Sequence, residues 1–263
     1  IVEADVSAEV ISTDFDGTLF AEFENPPVPQ KLQNLIGSMQ ERGVKWVINT
    51  GRDLCSLMEA LGRSKLSVQP EFLVLVEREI YCHENSQFIA LHEWNLACTR
   101  AHEDLFKRVR PDIPKLTNWI SHRFAATIYE DAYSPFCLIA GNNGDADVIH
   151  DFLEDYCKKI PDLSVVRNDV YARFSHSGYN KGTALSQLAR MLQLNADSIL
   201  AAGDHFNDLP MLSSRHARWL VAPANANPSS KRSAIRTVIS ARAPTGTGLP
   251  RDWSIFCRYE QRN

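Results

Sequence analysis

No apolar run in this sequence approaches the ~18 residues of a membrane-spanning helix; residues 72–76 (FLVLV) typify the runs present. No charged stretch leading into an apolar one stands at its N-terminal end, so no targeting leader is expected within it. The six cysteines (Cys55, Cys82, Cys98, Cys137, Cys157, Cys257) form no CxxC pair and no dense cluster. That excludes a disulfide scaffold and leaves reduced thiols in a cytoplasmic protein as the expectation. The eight histidines make no HxH or HxxxH pair, so zinc is not expected. Basic charge is not in excess: 28 Lys+Arg against 32 Asp+Glu give a net charge of −4, and without a basic footprint no nucleic-acid partner is expected. With 12 glycines, 13 prolines and no internal repeat, the chain is neither collagen-like nor low in complexity.

The remaining composition is that of an ordinary globular protein, 44% hydrophobic over 263 residues. That length suits one large domain, or a core with a sizeable second unit. Residues 8–13 (AEVIST) read as a strand ending on Asp14. Leu32, Leu35, Ile36 and Met39 recur at helical spacing and Gly43 stops the run. Residues 44–49 form a second strand, Leu54, Leu57, Met58 and Leu61 a second helix, and residues 72–76 a third strand. Strand and helix in alternation, with strands that are near-continuous apolar runs, predict a parallel sheet covered on both faces. From about Tyr81 to Phe174 the pattern is mixed. Strand-like pieces fall at 127–129, 135–140, 164–167 and 171–174, with a helix around Val148, Ile149, Phe152, Leu153 and Tyr156 that Asp145 is expected to cap. Alternation then resumes with a helix at Leu185, Leu188, Ala189 and Leu192 and strands at 198–202 and 218–222. The expected architecture is α/β: a Rossmann-like parallel-sheet core in two parts (1–80 and 175–263) split by an α+β cap domain (81–174).

In an open parallel sheet, ligands bind outside the carboxyl ends of the strands. Four polar clusters fall there: DFDGT (14–18), Thr50-Gly51-Arg52, Lys181 before a helix, and GDHFND (203–208). In an extended segment Asp14 and Asp16 point the same way while Phe15 points into the core. Asp14, Asp204 and Asp208, gathered with little compensating charge, would repel one another unless a cation sat among them. An all-oxygen set with several waters suits Mg²⁺. A carboxylate can attack phosphorus if the incoming dianion is neutralised, and Mg²⁺, Lys181, the Thr50 hydroxyl and loop N–H groups could do that. Asp16 is placed to protonate the leaving oxygen and then to activate water.

As an ordered set, DFDGT, the Thr50 strand end, the Lys181 helix start and GDHFND resemble the four motifs of the haloacid dehalogenase superfamily. Only 35 residues separate Asp14 from Thr50 while 130 separate Thr50 from Lys181, so the insert falls between the second and third motifs. That placement resembles the type-II-capped, Cof-like branch, which includes sugar-phosphate phosphatases, and residues 221–228 (VAPANANP) resemble the segment after the fourth motif in that branch. The resemblance implies Asp14 as nucleophile and Asp16 as acid/base. It implies Mg²⁺ held by Asp14, the backbone carbonyl of Asp16 and Asp204, with Asp208 nearby, and phosphate held by Thr50, Gly51, Lys181 and Asn207. His205 departs from the family pattern, where a small residue is usual.

The expected activity is therefore Mg²⁺-dependent hydrolysis of a small phosphate ester, a sugar or sugar-acid phosphate, through an aspartyl-phosphate. A sugar phosphomutase-like phosphotransferase and a non-catalytic phosphometabolite-binding module are the alternatives; the second has no need of Asp16. The cap is expected to set specificity by excluding water from the intermediate, with Asn142, Asn143, Arg167 and Asn168 in its turns. Taken singly, each feature has a plainer reading. Lys181 would be a surface lysine, Asp208 a helix cap, His176 structural, and Leu105, Phe106 and Val109 cap core. Lys231, Arg232 and Arg236 read as a solvated basic face, 246–248 (GTG) as a loop, and Trp253, Phe256 and Tyr259 as packing groups of the tail.

Overall fold

The computed structural model describes residues 7–223 and Ala226. The sequence features at 227–263 lie outside the described residues, as does part of the 221–228 segment. The chain divides into two units, one made of 1–91 and 181–263, the other of His92–Asn180.

The first unit contains β1 (Val10–Thr13), α1 (Gln30–Glu41), β2 (Lys45–Asn49), α2 (Leu54–Ser64), β3 (Phe72–Leu75), β4 (Glu79–Glu84) and β5 (Gln87–Ala90). After the second unit it continues with α6 (Lys181–Met191), β10 (Ile199–Ala202) and β11 (Trp219–Val221). Its seven strands lie in the order β11-β10-β1-β2-β3-β4-β5. The first five run parallel, while β4 and β5 turn back antiparallel. Three of the inner strands, β1, β3 and β10, are buried throughout, and β2 is buried but for Lys45, as expected where both faces of a sheet are covered. α1 lays Leu32, Ile36 and Met39 on the sheet, and Gly43, at φ +90°, allows the chain to leave it. Phe15 is wholly buried and stacks on Phe20 with centroids 4.9 Å apart, which fixes the backbone between Asp14 and Asp16. A buried aromatic of this kind contributes about 3–5 kcal/mol against truncation to alanine.

The second unit comprises α3 (His92–Val109), α4 (Ile113–Ser121), β6 (Ala126–Tyr129), β7 (Cys137–Ala140), α5 (Asn143–Cys157), β8 (Leu163–Asn168) and β9 (Tyr171–His176). Its sheet is antiparallel in the order β6-β7-β9-β8. Helices cover it over a core that includes Leu105, Val109, Leu138, Ile149, Leu153 and Phe174, with Phe106 packed against it.

Two expectations change. The insert spans 92–180 rather than 81–174, because β4 and β5 form a hairpin that extends the first unit's sheet, while β9 and the turn after it stay with the second unit. Asp145 does not cap α5. Asn142, in extended backbone, accepts the Asp145 N–H instead and donates its own amide to the Asp145 carboxylate. Arg167 pairs with Asp147 and donates to the Asp169 carbonyl. Asn142 and Arg167 thus hold structure within the insert. Cys98, Cys137 and Cys157 are buried thiols, none of them in a disulfide, and burial pushes Cys157 up to about 12. Among the described residues no helix is long and apolar enough to cross a membrane.

Candidate active site

Register puts the carboxyl ends of β1 and β10 side by side: Thr13 pairs with Ala202, and the Asp14 N–H donates to the Ala202 carbonyl at 2.8 Å. Asp14 and the 203–208 loop therefore emerge together. Asp14, Asp204 and Asp208 present carboxylate oxygens within 4.8 Å of one another. Lys181, the first residue of α6, is fully buried and joins two of them. Its Nζ donates to Asp14 Oδ1 and to Asp208 Oδ1, each at 2.6 Å. The Asn49 side-chain amide, at the end of β2, donates to the Lys181 carbonyl and so ties that helix start to the sheet.

Glycine is required twice in this cluster. Gly17 has φ +78°, and a Cβ there would lie 2.3 Å from Asp204 Oδ2. A Cβ on Gly203 would lie 2.5 Å from Asp208 Cγ. Asp208 is an internal cap of its own loop: its Oδ2 accepts the N–H groups of Asp204 and His205, both at 2.9 Å. Asp208 does not cap a following helix, since one of its oxygens holds the loop that precedes it while the other meets Lys181. Thr18 Oγ1 donates to Asp204 Oδ1 at 3.1 Å.

The charges do not balance within the cluster. Burial raises the pKa of Asp14 well above its usual value, repulsion from Asp208 adds to this, Lys181 opposes it and Asp204 adds again. Burial works against the charge on Lys181, but Asp14, Asp208 and Glu77 together outweigh it and hold the ammonium above its ordinary range. Three carboxylates around one ammonium remain an electronegative, oxygen-lined site. That donor set fits a hard divalent cation.

The carboxylate of Asp16 lies outside this group. It forms a two-pronged pair with Arg52, Nε to Oδ2 at 2.7 Å and Nη2 to Oδ1 at 2.6 Å. The guanidinium sits 5.5 Å from the centroid of the Phe15 ring and 5.6 Å from that of Phe20. The hydrogen bond to Asp16 raises the pKa of Arg52. Thr50 is buried at the end of β2, with its hydroxyl accepting the Arg52 N–H. Asn207 is buried on the 203–208 loop, and its amide donates to Glu77 Oε1 at 2.9 Å.

Sequence reasoning missed Glu77 and the partnership of Arg52 with Asp16. Glu77 is 6% exposed and follows β3. A charged triplet, Glu77-Arg78-Glu79, directly after an apolar strand marks one more carboxyl end of the kind already counted four times. Val76 and Glu77 both take left-handed backbone, φ 44° and 69°. For the β-branched Val76 this is a true outlier, and such residues cost about 1–3 kcal/mol each and gather at functional sites.

An acidic, lysine-bridged cluster thus lies across adjacent carboxyl ends of the parallel sheet. The chain belongs to the haloacid dehalogenase-like hydrolase family, whose profile matches residues 11–76 and 71–243. It is 25% identical over 251 residues to 5-amino-6-(5-phospho-D-ribitylamino)uracil phosphatase YcsE of Bacillus subtilis, covering 88% of this chain and 89% of that protein. In fold it is similar to the sucrose-phosphatase of Synechocystis sp., solved with sucrose and phosphate (TM-score 0.66, 18% identity, 90% of this chain and 93% of that one). A haloacid dehalogenase-like hydrolase from Bacteroides thetaiotaomicron is likewise similar (TM-score 0.58, 16% identity, 86% and 92%).

Proposed function

We propose that this chain hydrolyses a small phosphorylated metabolite, a sugar or sugar-acid phosphate, with Mg²⁺ and through a phosphoryl group carried on Asp14. The observation that carries the reading is the buried Lys181 ammonium bridging Asp14 and Asp208 at 2.6 Å, beside Asp204. Asp14, Asp204, the Asp16 backbone carbonyl and Asp208 would hold Mg²⁺, which supplies neutralisation of the phosphate dianion.

The chain's own groups do the rest. Lys181 holds one Asp14 oxygen, which orients the other towards phosphorus. Thr50, the Gly51 N–H, Lys181 and Asn207 take the phosphoryl oxygens and spread the charge that develops. Asp14 attacks, the ester P–O bond breaks, and Asp16 gives its proton to the leaving oxygen. Asp16 then takes a proton from water as that water attacks phosphorus, which releases inorganic phosphate and restores Asp14. Acting as an acid requires Asp16 to leave its two-pronged pair with Arg52, so that pair is a resting arrangement. The names of YcsE and the sucrose-phosphatase, both phosphatases of polyhydroxy compounds, support a substrate of that chemistry. The thiols of Cys98, Cys137 and Cys157, none of them in a disulfide, support a cytoplasmic setting.

The test is release of inorganic phosphate from a panel of phosphorylated sugars, sugar acids and polyols with Mg²⁺, ranked by kcat/KM. Release from at least one member is expected. Phosphate that stays on the sugar throughout the panel favours the mutase alternative, and no turnover of any member overturns the hydrolase reading.

A further inference from the structure

We propose that Glu77 is a positioning residue that fixes which end of the Asn207 amide faces the phosphate; this rests on the phosphatase reading above. Glu77 has a defined place. Its carboxylate accepts from Asn207 Nδ2 at 2.9 Å, and a Cβ on Gly51 would come within 3.4 Å of Oε1. Its backbone is tied to the other phosphate loop: the Glu77 N–H donates to the Thr50 carbonyl at 2.9 Å, and the Val76 N–H to the Arg52 carbonyl at 3.0 Å. The strained turn at Val76 and Glu77 thus connects the loop after β2 to the loop after β10 through one side chain.

An asparagine amide offers two donors at nitrogen and only acceptors at oxygen. Beside a carboxylate only the NH₂ end is tolerated, and one of its hydrogens is left for a phosphoryl oxygen. The Asn207 oxygen is buried without a hydrogen-bond partner among the described residues, so nothing on that side selects the orientation. Without Glu77 the amide can turn its oxygen towards the phosphate, where it would repel the anion. Buried carboxylates are costly unless hydrogen-bonded, and this one is placed where its hydrogen bond orders a ligand-binding group.

The experiment is a double-mutant cycle read by calorimetric binding of inorganic phosphate with Mg²⁺, alongside kcat and KM for p-nitrophenyl phosphate. Glu77→Met keeps the side-chain bulk and removes the acceptor. It should weaken phosphate binding and raise KM about tenfold, with kcat held within about threefold. Glu77→Gln keeps an acceptor oxygen and should recover most of that loss. In an Asn207→Ala background Glu77→Met should add nothing further. Unchanged phosphate affinity in Glu77→Met, or effects of Glu77→Met and Asn207→Ala that simply add, overturns the proposal. Should Glu77→Met fail to fold, the cycle is run with Glu77→Gln. A loss of about threefold that disappears with Asn207→Ala then supports the role, and an equal loss in both backgrounds overturns it. The two readings fail separately. An additive cycle in an enzyme that releases phosphate sinks the Glu77 role alone. A coupled cycle in a protein that binds phosphate without hydrolysing esters sinks only the hydrolysis. A wild type that binds no phosphate sinks both.

Discussion

Asp14 and Asp16 are two residues apart and end in different company, one against a buried ammonium and the other against a half-exposed guanidinium. Replacing each by asparagine should therefore fail differently. Asp14→Asn removes the proposed nucleophile and should lower kcat by roughly 10³-fold or more, with Tm within a few degrees of wild type. Asp16→Asn should lower kcat by about 10²–10⁴-fold, the range for a lost general acid. It should also leave phosphorylated protein detectable by mass spectrometry after acid quench, because the second step needs the same group; Asp14→Asn should show none. The gathering of Asp14, Lys181, Asp204 and Asp208 was legible because Asp14 follows β1, Lys181 opens α6, and Asp204 and Asp208 share the loop after β10. The Asp16–Arg52 pair was not, since alternation along an extended segment says which way a side chain leaves the backbone and nothing about its rotamer.

Among elements, α2 places Arg52 and the Thr50 loop, and it starts on Asp53, whose carboxylate accepts the Ser56 N–H at 2.8 Å. Asp53→Ala should cost about 0.5–2 kcal/mol in chemical denaturation. Because the loop before Asp53 carries Thr50 and Gly51, proposed above to take the phosphate, KM should rise with little change in kcat. The buried strands were readable from apolar content alone. β4 and β5 were not: their residues are mostly half-buried or exposed, and the mixed EIYCHE of β4 resembles the start of an irregular insert. α3 escaped notice because its buried stripe is Cys98, His102, Leu105 and Val109, with an imidazole where an aliphatic side chain would signal a helix. That imidazole is internally satisfied, Nδ1–H donating to the Cys98 carbonyl and Nε2 accepting the His176 N–H, which no spacing rule reveals.

For the molecule as a whole, two responses are expected. Mg²⁺ at one hundred times its dissociation constant should stabilise the fold by about 2.7 kcal/mol, a Tm rise of several degrees reversed by chelator. Asp204→Asn should abolish that rise. Burial lowers the pKa values of His150, His176 and His216, so in the acid range the unfolded chain takes up protons that the folded one refuses. Their contribution is complete above about pH 6.5 and is lost as pH falls towards their folded values. His216→Gln, which retains a partner for Ser186, should flatten that slope in urea titrations between pH 7 and 5. The order of the sheet also bears on how the protein is made. β1 lies between β2 and β10, and β10 leaves the ribosome only after the whole insert has been translated. Until then the nascent chain carries an open strand edge, wholly buried in the finished fold, at what will become its middle. Synthesis therefore passes through a stage that invites intermolecular strand pairing, and the second unit, whose strands and helices are contiguous in the chain, can finish folding first.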